Sequence, residues 1–284
     1  MLTARANAKI NWSLSITGLG SNGYHDLDML MQSVSLCDVL TFQPARRLEF
    51  IAGGKSAWDE KNLVCRAATL LWDAYHPDSG VSIALFKRIP AMAGLGGGSA
   101  DAAATLVALN RLWNLGLTTQ ALCRWGLFLG ADLPFCLTGG FQRVRGIGEQ
   151  LEPLPAPLSP GLVLVMPEAG LSTGAVFSQY DRSPAPLPTD NAAAARALLE
   201  GDFAGLDTAA HNDLMPPAQA LCPQVSEVLS DMTALGARFA RMSGSGSCCF
   251  GVFDDPAAAE TALKARHPQT WRVETRPCGV EIQE

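Results

Sequence analysis

Apolar and polar residues alternate over Trp12, Leu14 and Ile16 against Ser13, Ser15 and Thr17, the two-residue period of a half-buried strand. Gly18 to Gly23 breaks that pattern as a turn, and Val39 to Phe42 reads as a further strand. From Asn62 to Tyr75 the spacing of Leu63, Ala67, Leu70, Leu71 and Ala74 predicts a helix. Val81, Ile83 and Leu85 return to alternation and end near Pro90. A helix is predicted from about Ser99 to Trp113, its buried stripe being Ala103, Leu106, Val107 and Trp113. Another runs from about Thr119 to Leu129 and stops at Gly130. Pro153 to Pro160 is the candidate domain junction, and Ser183 to Pro188 is a second proline-rich loop. Between them lies a short strand, Leu162 to Met166. Helical spacing dominates from Asn191 to Leu235, and strands follow at Cys248–Phe253, Arg272–Thr275 and Val280–Ile282. This order predicts an α+β protein of two units, 1–155 and 156–284, with the last strand, about 276–284, free to return to the first unit.

Composition narrows the picture without changing it. Of 284 residues 48% are hydrophobic and 17% charged, which suits one or two packed units. A net charge of −6 with no basic run argues against nucleic acid as a partner, since duplex binding needs clustered cations. Met1 to Asn7 carries no long apolar stretch, so no secretory leader is expected. No segment reaches the roughly 20 apolar residues of a membrane span. The eight cysteines form no C-x-x-C pair, so reduced thiols in a cytoplasmic protein are expected. A monomer or weak homodimer is expected.

The strongest chemical signal is Pro90-Ala-Met92-Ala93-Gly94-Leu95-Gly96-Gly97-Gly98-Ser99-Ala100-Asp101. Three consecutive glycines let backbone N–H groups approach a ligand closely. Ser99 is a favourable N-cap for the alanine-rich helix that follows, and the helix start adds unpaired N–H groups and partial positive charge. Together these make an anion site suited to phosphate. No lysine follows the glycines, so this is not a Walker loop, and Ser99 stands where a dinucleotide fingerprint needs its third glycine. Gly18-Leu-Gly20-Ser-Asn-Gly23 does match G-x-G-x-x-G, but the acidic residue at the required distance, Asp38, precedes the next predicted strand instead of closing it.

The loop resembles the ATP loop of the GHMP kinases, the superfamily named for galactokinase, homoserine kinase, mevalonate kinase and phosphomevalonate kinase. The resemblance extends along nearly the whole chain: Ala8-Lys9-Ile10-Asn11-Trp12 with Gly23-Tyr24-His25, Asn62-Leu63-Val64, Gly130-Ala131-Asp132-Leu133-Pro134-Phe135, Asn212-Asp213-Leu214, and Met242-Ser243-Gly244-Ser245-Gly246-Ser247. It implies a two-domain GHMP-kinase-like fold, with ATP and Mg2+ as cofactors and a small-molecule alcohol as acceptor. Lys9, Asn11 and the Gly-Tyr-His turn resemble those members whose acceptor is a cytidyl diphosphate.

What the resemblance implies can be set beside the plainer reading of each residue. Asp132 becomes the catalytic carboxylate; by itself it is an ordinary turn or cap aspartate. Lys9 becomes the cation that holds Asp132 ionised, where it could be a solvated charge at a strand start. Pro90, Met92 to Ala100, Asn62 and Lys87 become the ATP site, the last two framing the adenine. Asn11 would bond the acceptor's polyol. Tyr24 and His25 would recognise a cytosine, with Phe177, in the loop from Leu171, on the base's opposite face and Thr173 nearby. Gly244 and Ser245 would face the acceptor diphosphate or the transferring phosphoryl. Ser99 is the candidate Mg2+ ligand. Asn212-Asp213 is expected only to cap a helix, Met215 standing where relatives commonly carry an acid. Other acceptors, such as homoserine or mevalonate, and a non-catalytic small-molecule sensor are the alternatives; Lys9 and Asp132 together argue against the sensor.

Overall fold

The computed structural model describes residues 1–21, 23–53, 55–56, 58–156 and 160–283. In chain order the elements are β1 (Leu2–Leu19), β2 (His25–Ala45), β3 (Glu49–Ala52), β4 (Lys55–Ser56), α1 (Leu63–Tyr75), β5 (Gly80–Phe86), α2 (Gly97–Leu112), α3 (Thr119–Leu127), α4 (Leu133–Thr138), β6 (Phe141–Gly146), β7 (Gln150–Pro153) and β8 (Leu162–Val165). Then follow α5 (Thr173–Arg182), α6 (Asn191–Glu200), α7 (Phe203–Ala209), α8 (Met215–Leu221), α9 (Gln224–Ala234), β9 (Phe239–Met242), β10 (Cys249–Val252), α10 (Pro256–Lys264), β11 (Thr270–Val273) and β12 (Val280–Gln283). The expected junction at Pro153–Pro160 lies partly outside the described residues, at 157–159.

Two sheets organise the chain. The larger runs β12-β1-β2-β5-β3-β4, with β6 on β2 and β7 on β6; the smaller runs β11-β8-β10-β9. β2 is long enough to serve two neighbours: its first half pairs with β6 and its second half with β5. β1 pairs antiparallel with β2 along its length, interrupted by register shifts at Asn7/Ala8, Asn11/Ser13 and Ile16/Gly18. β12 lies antiparallel to the start of β1, from Thr3 opposite Gln283 to Ala6 opposite Val280.

The half-buried strand expected at residues 12–17 is part of a longer one whose residues 6–14 are buried on both faces. One reason is α2. The amphipathic stripe expected there does not exist: nearly every residue from Ala100 to Leu109 is buried, while Val107 and Trp113 are only partly so. A helix apolar all round belongs in an interior, and α2 packs on α1, β1 and α4 inside one core. Further along β1, Ala8, Ile10 and Trp12 enter a second core shared with β8, β9 and β10. There the Trp12 ring meets Phe250 edge-on at 5.3 Å and Phe239 at 5.9 Å. Such aromatic pairs add roughly 0.5–1.5 kcal/mol beyond burial. Because successive strand residues face opposite ways, seating Ile10 and Trp12 in that core turns Lys9 and Asn11 the other way. None of the described helices is long and apolar enough to cross a membrane.

Candidate active site

A cavity of about 610 Å³ opens between the two sheets, and Lys9, Asn11 and Asp132 line it together with Pro90 to Ser99. Asn62, Lys87, Thr173, Phe177, Gly244 and Ser245 complete this part of the wall. Most of the residues singled out from the sequence therefore share one space. Ala100 does not reach it: it is fully buried and its N–H bonds to Gly96 O at 2.8 Å, so no donor is left for a phosphate.

The helix behind the loop starts two residues earlier than expected. Its N-cap is Gly96, in left-handed backbone at φ +70°, and Ser99 lies one turn inside. The cap is a glycine for steric reasons: a Cβ there would stand 3.1 Å from Lys9 Cγ. Gly94, at φ +72°, is tighter still, since its Cβ would lie 2.1 Å from Ser243 O. The loop is thereby laid directly on Lys9 on one side and on the 243–247 turn on the other. Lys9 N–H donates to Leu95 O, Cys248 N–H to Ala93 O, Leu171 N–H to Met92 O and Ser243 Oγ to Gly94 O.

Lys9 is 6% exposed, and its Nζ donates to Asn11 Oδ1 at 2.6 Å and stands 3.9 Å from Asp132 Oδ2. Asp132 holds the N-cap position of α4, yet its side chain makes no capping bond, and it is 38% exposed. The turn-or-cap reading of Asp132 fails on that point: the position is a cap, but the carboxylate is left for the cavity. Asn11 also donates its backbone N–H to Ser243 Oγ at 3.2 Å, so one serine links the strand, the loop and the turn. Asn62 caps α1 by accepting Val64 N–H, which leaves its amide N–H2 for the cavity.

Tyr24, His25 and Phe177 are arranged differently from expectation. Phe177 is not in a loop but on α5, which begins at Thr173 and buries Val176 and Tyr180; the small residues Ser172 to Ala175 hid that helical spacing. Phe177 stacks on His25 at 4.9 Å, so one of its faces is already covered. His25 Nε2 is held 2.8 Å from Asp181 Oδ1, one turn along the same helix. Tyr24 is 63% exposed and does not line the cavity. Thr173 Oγ1 meets Ser245 Oγ at 2.9 Å, tying the start of α5 to the turn.

Several residues were missed. The expected capping role of Asn212-Asp213 is not seen: the N-cap of α8 is Leu214, without a side-chain bond. Asn212 accepts Leu214 N–H in the preceding turn, while its amide donates to Met242 O and Gly244 O and so shapes the 243–247 turn. Asp213 accepts from Ile16 and Leu187 N–H. Lys87 is held by Asp38 and Asp101, whose roles the linear motif search did not find. Asp38 does not precede a strand but lies inside β2, a lone charge in an apolar run that could have flagged it. Burial, reinforced by Asp38, raises the Asp101 pKa from 3.8 to about 8, against the lowering pull of Lys87. The cysteines are free; burial pushes the Cys136 and Cys248 thiols up, so neither is an active nucleophile. Among the described residues no group of three His, Cys, Asp or Glu is arranged to hold a metal.

Comparison with known proteins agrees with this geometry. Residues 62–140 match the family "GHMP kinases N terminal domain" and residues 194–272 the family "GHMP kinases C terminal". The chain is 43% identical over 279 residues to a 4-diphosphocytidyl-2-C-methyl-D-erythritol kinase of Moorella thermoacetica, covering 95% of this chain and 97% of the relative. It is 41% identical over 275 residues to the enzyme of the same name from Rhizobium johnstonii, covering 94% and 89%. A solved 4-(cytidine 5'-diphospho)-2C-methyl-D-erythritol kinase superposes with a TM-score of 0.83 at 35% identity, over 96% of this chain and 98% of that one. A homoserine kinase from Cytophaga hutchinsonii, at 20% identity and a TM-score of 0.73 over 99% and 97%, shares the fold. Sequence likeness spanning both units, on a fold that brings loop, lysine and carboxylate into one cavity, makes the chain a member of the GHMP kinases, within their 4-diphosphocytidyl-2-C-methyl-D-erythritol kinase family.

Proposed function

We propose that the chain transfers the γ-phosphoryl group of ATP to the 2-hydroxyl of 4-diphosphocytidyl-2-C-methyl-D-erythritol, in the non-mevalonate route to isoprenoid precursors. The observation that carries this reading is the Lys9–Asp132 pair at 3.9 Å, between the glycine loop and the Gly244–Ser245 turn.

In this reading the backbone N–H groups from Gly94 to Ser99 hold the ATP phosphates. Asp132 accepts the proton of the acceptor hydroxyl as its O–H bond breaks. The oxygen bonds to the γ-phosphorus while the bond to the departing ADP opens. Lys9 sets its positive charge 3.9 Å from Asp132 and beside the reacting oxygen, and Asn11 fixes Lys9 by a hydrogen bond. Tyr24, His25 and Phe177 recognise the cytosine, and Asp181 orients His25. A phosphate-borne Mg2+ fits a donor set of this kind, since that ion keeps several waters and takes few protein oxygens; Ser99 would supply one, and the ion would offset phosphate charge. Residues 1–155 with the returning last strand form the nucleotide-side unit, and the rest of 156–284 the acceptor-side unit. Eight free cysteines suit a reducing cytoplasm, where the protein would work as a monomer or weak homodimer.

The test is ATP consumption with the cytidyl diphosphate acceptor, run beside homoserine and mevalonate. Turnover is expected with the first alone. Turnover with either of the others and none with the first would overturn the assignment.

A further inference from the structure

Asp38 stands in the middle of β2 and is wholly out of water. A carboxylate in that position needs donors to replace its hydration; three come from one stretch of chain, and the Asp101 side chain is in hydrogen-bond contact with it as well. Oδ1 accepts the backbone N–H of Arg88 at 2.5 Å and of Ile89 at 2.8 Å, and Oδ2 accepts Lys87 Nζ at 2.5 Å. These three residues are consecutive and stand directly before Pro90, where the glycine-loop segment begins. Lys87 Nζ donates again to Asp101 Oδ2 at 2.7 Å, on α2 just after the loop. The loop is thus held at both ends by aspartates, with Lys87 bridging them.

An ammonium has three N–H bonds, and two are engaged here. Lys87 is 41% exposed and lines the cavity, so the third is available to the cavity and has no described protein acceptor. With the Asp38 side chain directly on its ammonium, Lys87 has little net field with which to attract a triphosphate. It is suited instead to a neutral acceptor on the nucleoside.

We propose that Asp38 is a positioning residue for nucleotide binding: it seats residues 87–89 and aims the free Lys87 N–H at the nucleoside part of ATP. The inference rests on the ATP-kinase reading above. Asp38→Asn keeps the size but sets an N–H2 against at least one of the donors now bonded to the carboxylate. In the full-length enzyme KM for ATP should rise about tenfold or more, with KM for the acceptor and kcat at saturating ATP held within about twofold. Lys87→Met leaves Asp38's backbone bonds intact. It should weaken ATP, and adenosine as a competitor, by the same factor. The double variant should bind ATP no more weakly than Lys87→Met alone, because the clash of the new amide with the ammonium is gone.

A purely structural Asp38 would lower the melting temperature and the active fraction while leaving both KM values unchanged, and that result overturns the proposal. So does a Lys87→Met loss confined to ATP and absent from adenosine. If the unaltered protein bound no ATP, the kinase reading would fall and this inference with it. The variant results, by contrast, bear on the inference alone.

Discussion

Asp132 differs from the other aspartates at helix starts in this chain. Asp190, Asp202 and Asp255 each accept backbone N–H groups of the turn they cap, whereas Asp132 accepts none. Losing a capping aspartate costs about 1 kcal/mol, but no such bond is lost at position 132. Asp132→Asn should therefore melt with the unaltered protein and still bind ATP, while turnover falls by roughly 10²–10⁴-fold. Near-normal turnover in a direct assay would remove Asp132 from the chemistry. Asp101 gives a prediction of another kind. Its pKa is raised on folding from 3.8 to about 8, burial being the main cause, so the folded state binds the proton more tightly than the unfolded one. The stability this contributes is complete below about pH 4 and is lost as pH rises through about 8, by at most about 1.4 kcal/mol per pH unit. Asp101→Asn carries no such proton, so denaturant melts of the variant between pH 5 and 9 should show a flatter profile. An unchanged slope would contradict the buried, protonated state.

At the scale of elements, the glycines of the loop are not equivalent. Gly94→Ala would need φ near +72° and put a methyl against Ser243 O, a strain of order 1–3 kcal/mol. Gly98 has ordinary helical backbone, and a Cβ there meets only Leu63 Cδ1 at 3.5 Å. Calorimetry should find Gly94→Ala destabilised and Gly98→Ala at least as stable as the parent, since alanine favours a helix by up to about 1 kcal/mol over glycine. The reverse order would mean that the loop does not rest on the 243–247 turn as described. This contrast marks how far sequence alone reaches. Three glycines and a helix start are enough to predict a phosphate site, because backbone access depends on residue type. Which glycine is compelled depends on Ser243, 149 residues away in the chain, and no local pattern encodes that. The hairpin of β6 and β7 and the strand β9 escaped notice for a related reason. Gln142 is buried by bonds to Thr138 and Gly139, and Ala240 and Arg241 blur the period in β9. Phe177 was misplaced because small residues at the start of α5 carry no helical stripe. Asp38 was visible as a charge but not as an anchor, since its partners lie some 50 residues on.

Across the whole molecule the glycine loop is bonded to the second half of the chain at Met92, Ala93 and Gly94. Two units joined only by a linker melt separately, whereas units sharing backbone bonds through the site melt together. One calorimetric transition is expected. ATP at a hundredfold excess over its dissociation constant adds about 2.7 kcal/mol, which should raise that transition by about 5 °C. Two transitions, only one of them moved by ATP, would refute the coupling. The same long-range closure governs how the chain is made. β12 is the neighbour of β1 in the larger sheet, so β1 leaves the ribosome long before the strand that covers its edge. Until then the outer edge of β1 presents unpaired N–H and C=O groups to any passing strand. Arg5 lies on that edge and meets Glu281 only once β12 arrives. During translation it is an unneutralised charge on a bare strand, a feature that discourages the nascent chain from pairing with its neighbours on a polysome.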